Sequence, residues 1–398
     1  MSRLDFSDAA TVVEMVNSLI ETAVSRDASD IHLEPRENGL RVRLRIDGVL
    51  RDSAPYPPEV APLVISRLKI LAGMDMAERR LPQDGNLQME VNQERVNIRL
   101  STLPTIYGEK LVLRLLRHDK IVMPLESLGF TEENYRRYMD FLNNAYGMIL
   151  VTGPTGCGKT TTLYSTLHAV NSAEKNIITV EDPVEYRIDG INQVQVNNKI
   201  KLTFARTLRT ILRQDPNIVM VGEIRDGETA EIATRAALTG HLVFSTLHTN
   251  DAPRAVTRLL DMGVERFLLT SSLVGIVAQR LVRLNCTNCL EPYSPEEEEL
   301  TFYQKLGGSG GSGDVSFKRG RGCEKCDYTG FRGRTAIHEV MPVDETMRRL
   351  IMHSEDTEEI RRHAVSQGMQ TLLQDGINRA VQGLTTLAEV IQVAYTVF

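Results

Sequence analysis

Eight consecutive residues, Gly153-Pro154-Thr155-Gly156-Cys157-Gly158-Lys159-Thr160, restrict what this chain can fold into more than any other stretch, because they fit the pattern G-x-x-x-x-G-K-[ST]. Such a loop needs a buried strand in front of it and a helix behind. Residues 148–151 are a short apolar run of that kind, and residues 161–170 carry a helical pattern whose N-terminus can face an anion. The glycines matter because a side chain there would hold backbone N–H groups away from phosphate oxygens. Lys159 then neutralises β- and γ-phosphates, and the Thr160 hydroxyl ligates magnesium. A glycine-rich turn without a ligand would have to match all these positions by accident, so the stretch predicts a nucleoside triphosphate site.

At 398 residues the chain exceeds one ordinary core and suits two or three domains. A formal net charge of −6 and the absence of Trp oppose a nonspecific grip on nucleic acid. No apolar stretch reaches membrane-spanning length and the N-terminus lacks a signal-peptide plan, so a cytoplasmic chain without direct membrane insertion is expected, peripheral to a membrane only through partners. Five cysteines in that setting point to metal or free thiols instead of a disulfide framework.

Ahead of the loop, Val12, Val13, Val16, Leu19, Ile20 and Ala23 recur at helical spacing. Leu40, Val42, Leu44 and Ile46 alternate with Arg41, Arg43 and Arg45, and Asp47-Gly48 turns the chain into Val49-Leu50, which predicts a hairpin. Residues 60–71 read as a helix. Val96, Ile98 and Leu100, then Leu111, Leu113 and Leu115, read as strands with Arg95, Arg99 and Arg114 on their other faces. By spacing alone these arginines are the solvated face of a half-buried sheet; phosphate clamps or arginine fingers are the competing reading. Pro124, Gly129 and a helix start at Thr131 mark a linker.

Behind the loop, residues 176–180 form a buried strand ending in Glu181-Asp182-Pro183-Val184-Glu185, which puts carboxylates where an α/β sheet places its chemistry. Residues 204–212 read as a helix with Arg206, Arg209 and Arg213. The run 218–221 closes on Gly222-Glu223, a Walker B pattern whose acid holds the magnesium hydration shell or polarises the attacking water; the weaker alternative makes Glu223 a neighbour of a helix cap. The strand 242–247 is bracketed by His241 and His248, and at least one of the two is expected to sense the γ-phosphate.

Cys286-x-x-Cys289 and Cys323-x-x-Cys326, with 33 residues between them, offer four thiolates for a closed structural zinc site. Zinc there contributes on the order of 10 kcal/mol or more before the loop's ordering cost. Cys157 reads as a packing residue. The Gly/Ser run at 307–313 is a flexible linker whose regularity looks engineered. After Cys326 the pattern is helical: 346–352, 357–367, 369–382 and 386–395.

With these elements in hand, the chain resembles the ATPases of type II secretion and type IV pilus assembly, the GspE/PilB branch. The resemblance rests on GPTGCGKTTTLY, on ITVEDPVEY, on LRQDPNIVMVGEIRDGETA and on TGHLVFSTLHTNDA, and covers nearly the whole chain. It implies an α/β fold: a RecA-like P-loop ATPase domain at 135–284, preceded by a PAS-like α+β domain at 1–120 and a linker at 121–134. A tetracysteine zinc subdomain at 285–335 and C-terminal helices at 336–398 follow. It also implies ATP, Mg2+ and Zn2+ as cofactors, a homohexamer with nucleotide between the two domains, and inner-membrane platform proteins as partners. Arg99 and Arg114 match family arginines that approach the phosphates, while Arg41, Arg43 and Arg45 stay surface residues. Glu185 and Glu223 match positions tied to water activation and magnesium, their roles undivided. Lys159, His248, Arg99 and Arg114 complete the expected catalytic set. Residues 153–161, with Thr161 last, together with Glu181, Arg209 and His241, make up the expected nucleotide contacts.

The tetracysteine segment is similar to that of assembly-type members, so extension is implied over retraction. Cys157 stands where the family usually has Ser. The resemblance implies that these residues open at the family's second domain, after the first domain, which docks on an inner-membrane partner. Two rival classes remain: a nucleic-acid-stimulated RecA-type motor, opposed by the acidic charge, and a nucleotide-gated zinc scaffold with negligible turnover.

Overall fold

A computed structural model describes residues 9–117, 122–305, 316–354 and 356–394; the Gly/Ser run at 307–313 lies outside them. The chain divides into two compact units, Met1–Ile121 and Val122–Phe398.

Among its described residues the first unit is an antiparallel six-stranded sheet with two helices. Strands β1 (Ala28–Arg36), β2 (Gly39–Ile46), β3 (Val49–Asp52), β4 (Gln83–Val91), β5 (Glu94–Thr105) and β6 (Gly108–Arg117) lie in the order β3-β2-β1-β6-β5-β4. Alternation decides which face is buried. Ile31, Leu33, Val42, Leu44, Ile98, Leu100, Leu111 and Leu113 form the core with Val16 and Ile20 of the helix Ala9–Ser25 and Val64 and Leu68 of the helix Ala61–Leu71. The expected hairpin is present, with Asp47 and Gly48 both at positive φ. Two strands, β1 and β4, were not legible, because their outward residues are mostly polar and a Pro or Gly interrupts the pattern.

The second unit is built on a seven-stranded sheet. It contains β7 (Gly147–Thr152), β8 (Ile177–Glu181), β9 (Asn192–Gln195), β10 (Ile218–Val221), β11 (Leu242–Leu247), β12 (Leu273–Asn285) and β15 (Phe331–Pro342), ordered β15-β12-β7-β11-β10-β8-β9. Every adjacent pair is parallel except β12 with β15. Strands β7, β8, β10 and β11 are buried along their whole lengths, which is why they read as continuous apolar runs. Helices begin where the sequence supplies a cap: Thr131, Asp226, Asp251, Asp344 and Thr371 each accept a backbone N–H from the first turn.

The segment after Cys326 is not helical at first. It enters β15, which passes through residue 335 and pairs antiparallel with β12 from Phe331 to Pro342. Six of its residues, Ala336 to Met341, are buried in succession, so the strand lacks the period-2 signal that would reveal it. The helices Glu345–His353, Thr357–Ser366, Leu372–Val381 and Leu387–Ala394 then follow. A two-stranded ribbon, β13 (Leu290–Pro292) with β14 (Lys318–Gly320), supports the cysteine knuckles.

Candidate functional site

Because β7, β8, β10 and β11 are parallel and in register, their C-terminal ends share one edge of the sheet, and the segments leaving them form one site. From β7 the loop 153–158 runs into the helix Lys159–Val170. Gly153, Gly156 and Gly158 all have positive φ, and a Cβ on Gly153 would lie 2.5 Å from Cys157 Sγ and 2.6 Å from the carbonyl of Gln279. Lys159 Nζ folds back over the loop and donates to the carbonyls of Gly153 at 2.7 Å and Pro154 at 3.1 Å. Burial draws the Lys159 ammonium below its usual pKa; the nearby Cys157 and Glu223 oppose that shift and Arg280 adds to it. Thr160 is exposed and Thr161 half-buried at the helix start. Cys157 is buried, and burial raises its thiol pKa.

Leaving β10, Glu223 is held from two sides. Its Oε1 accepts from Arg225 Nη2 at 2.5 Å and its Oε2 from His248 Nε2 at 3.2 Å, with only 17% of the side chain exposed. Burial pushes the carboxyl pKa up, but the Arg225 and His248 contacts outweigh it and hold the group below the usual glutamate range. His248, leaving β11, is thus beside the Walker B acid. Glu185 follows β8, its backbone N–H donating to Tyr164 Oη at 3.1 Å.

Three expected contacts are placed elsewhere. His241 precedes β11 and therefore lies at the opposite edge of the sheet from the loop, about 20 Å away by the rise of a six-residue strand. Its Nδ1 is 2.9 Å from the carbonyl of Ala236, closing the end of the helix Gly227–Leu238. Glu181 turns into the interior, where Tyr164 Oη, Thr179 Oγ1 at 2.6 Å and Gln193 Nε2 at 3.1 Å donate to it. Arg209 pairs with Glu228 at 2.7 Å on an exposed helix face. The sequence cannot show which end of a strand a flanking residue reaches in space; pairing direction settles that.

Gln279 and Arg280 of β12 were missed. Gln279 Nε2 donates to the carbonyl of Cys157 at 2.7 Å and its Oε1 accepts from Thr162 at 2.8 Å. Arg280 Nη2 donates to the carbonyl of Asn250 at 2.8 Å, joining β12 to the segment after His248. The apolar-flanked Gln-Arg pair was the only signal available.

In the first unit Arg99 and Arg114 are directly opposite one another on β5 and β6. Such partners have Cβ atoms about 5 Å apart, where like charges repel unless an anion is shared. Arg114 also meets Asp30 at 3.2 Å. On the same sheet Arg41 pairs with Asp52 at 2.6 Å, Arg43 with Glu34 at 2.6 Å and Arg45 with Asp30 at 3.5 Å.

The four knuckle cysteines bring their Sγ atoms within 4.8 Å of one another. Separations of 3.9 Å for Cys286 to Cys323, 3.9 Å for Cys289 to Cys326 and 3.7 Å for Cys323 to Cys326 match the roughly 3.8 Å edge of a tetrahedron with 2.3 Å Zn–S bonds. Among the described residues no helix is long and apolar enough to cross a membrane.

Residues 5–392 match the family described as Type II/IV secretion system protein. The chain belongs to that family. It is 49% identical over 390 residues to the type II secretion system protein E of Dickeya dadantii, covering 98% of this chain and 77% of that protein. It is also 49% identical over 385 residues to the type IV pilus assembly ATPase PilB of Thermus thermophilus, covering 96% of this chain and 43% of that one. Among solved structures, the pilus retraction motor PilT with bound ADP is similar at TM-score 0.62 and 28% identity, covering 94% of this chain and 96% of PilT. The Legionella pneumophila ATPase DotB, at TM-score 0.71, 20% identity and 95% coverage of each chain, shares the fold.

Proposed function

We propose that the chain is a Mg-ATP-hydrolysing motor that powers pseudopilus assembly in type II secretion or pilus extension, working as a homohexamer on inner-membrane platform proteins at the cytoplasmic face. The observation that carries the reading is the convergence of the phosphate loop, Glu185, Glu223 and His248 on one edge of the central sheet. Gly153, Gly156 and Gly158 turn backbone N–H groups toward the triphosphate, and Lys159 supplies the mobile cation that leaves its two carbonyl partners for phosphate oxygens. Thr160 and Glu223 would hold magnesium, which would supply positive charge against the triphosphate. Glu223, ionised at neutral pH because Arg225 and His248 favour its charged form, and Glu185 share the tasks of holding that ion's water shell and aligning the attacking water.

Arg99 and Arg114, directly opposite one another on β5 and β6, are our candidates for the phosphate-facing arginines that the family resemblance implies. The four cysteines hold zinc in a closed structural site. Nucleic acid has no part in this reading. Phosphate release per protomer, measured at saturating Mg-ATP over a wide range of chain concentration, tests it. Specific activity that climbs with concentration supports sites completed between subunits; concentration-independent activity removes the assembled motor.

A further inference from the structure

The helix that follows the phosphate loop carries a buried hydroxyl that the nucleotide does not need. Tyr164 is 1% exposed and lies on the side of the helix Lys159–Val170 that faces β8. Its Oη donates to Glu181, whose carboxylate also takes Thr179 Oγ1 and Gln193 Nε2. A phenol has one proton to give. With that proton committed to Glu181, the hydroxyl oxygen can still accept, and the backbone N–H of Glu185 donates to it at 3.1 Å.

Two more side chains grip the same segment by its backbone. Gln195 Oε1 accepts the N–H of Val184 at 3.3 Å, and Gln193 Nε2 donates to the carbonyl of Tyr186 at 2.9 Å. Glu185 is therefore held at its own amide and on both flanks, on a stretch with no regular secondary structure of its own.

We propose that Tyr164 is the positioning residue for Glu185, its hydroxyl fixing the segment that carries this carboxylate relative to the phosphate loop, with Gln193 and Gln195 as its supports. The proposal rests on the reading that Glu185 acts on water or magnesium in ATP hydrolysis. Tyr164 sits five positions past Lys159 on one rigid helix, so the group that binds the phosphates and the group that holds the carboxylate move as one body. Glu181 has a purpose in this arrangement other than touching nucleotide: it orients the phenol proton. A carboxylate displaced by about 1 Å loses up to a hundredfold in rate while the phosphate cradle, made elsewhere, still binds.

The test compares Tyr164→Phe, Glu185→Gln, their double variant and Gln195→Ala in the full chain by steady-state phosphate release and by binding of a non-hydrolysable ATP analogue. Tyr164→Phe keeps the buried ring and removes only the hydroxyl. The expected result is a fall in kcat of about tenfold or more with KM and analogue affinity within about twofold, and no further fall when Tyr164→Phe is added to Glu185→Gln. Gln195 is exposed, so Gln195→Ala tests the same hold without a folding risk and is expected to lower kcat in the same direction. A Tyr164→Phe enzyme with unchanged kcat overturns the proposal, as does a double variant whose losses multiply in full. Glu185→Gln with unchanged kcat overturns instead the reading beneath it.

Discussion

Gln279 donates its side-chain amide to the carbonyl of Cys157 at 2.7 Å, across 122 positions of sequence, so strand β12 holds the middle of the phosphate loop from the side. The same side chain accepts the Thr162 hydroxyl at 2.8 Å, fastening the loop and the first turn of its helix to one point. Replacing Gln279 by Leu strands a buried carbonyl and a buried hydroxyl. The expected outcome is a loss of about 2–3 kcal/mol in urea unfolding and a KM for ATP raised several-fold. An unchanged midpoint and KM would mean that the loop needs no such brace.

The two histidines that bracket β11 separate by their ends of the strand. His248→Ala removes the donor to Glu223 and is expected to lower kcat by about tenfold or more. His241→Ala removes a helix-end contact at the far edge and is expected to cost roughly 0.3–1 kcal/mol of stability with kcat unchanged. Phosphate release and thermal unfolding of the two variants side by side check the assignment.

What the sequence could and could not tell follows from the same pairing rules. The phosphate loop, the Walker B acid and the buried strands were legible because their signals are local: glycine spacing, an apolar run, an acid at its end. The arginine face of the first unit was legible as period-2 alternation in β2, β5 and β6. His241 was misplaced because a palindromic arrangement of residues around a strand says nothing about direction. Gln279 was missed because β12 is buried at every residue from Gly275 to Arg280 and its partner β15, itself buried from Ala336 to Met341, returns only after the cysteine segment, so these stretches carry no alternation. Glu181 looks identical to Glu185 in sequence; what distinguishes them is that the Glu181 carboxylate turns inward onto Tyr164, Thr179 and Gln193.

Glu339 gives a pH-dependent prediction. It is fully buried, and burial, with Asp251 nearby adding, pushes its carboxyl up to about 7, against the N–H of Ala252 and Arg361, which pull it down. A raised carboxyl binds its proton more tightly in the folded state. Folding is therefore unpenalised below about pH 4.5 and progressively destabilised as pH rises toward 7, to the extent of about 3 kcal/mol. Glu339→Gln keeps an oxygen for the Ala252 N–H, whose bond is 2.8 Å. The variant is expected to match the parent at pH 5 and to exceed it in urea midpoint at pH 8; equal midpoints at both values would contradict the burial cause.

The cysteine cluster predicts one zinc per chain by metal analysis. Cys289→Ser with Cys326→Ser, or a strong chelator, is expected to release it and to lower stability by several kcal/mol. Retention of full thermal stability in the metal-free chain would show that β13, β14 and the knuckles fold without an ion.

The measurement that bears most directly on the central claim is steady-state phosphate release at saturating Mg-ATP by Lys159→Ala beside the unaltered chain, at a concentration where the unaltered chain is active. Lys159 is the one cation lying over the phosphate loop and hydrogen-bonded to it among the described contacts. The account predicts a loss of turnover of about a hundredfold or more with thermal unfolding little changed. A Lys159→Ala chain that hydrolyses ATP at the parental rate would contradict it.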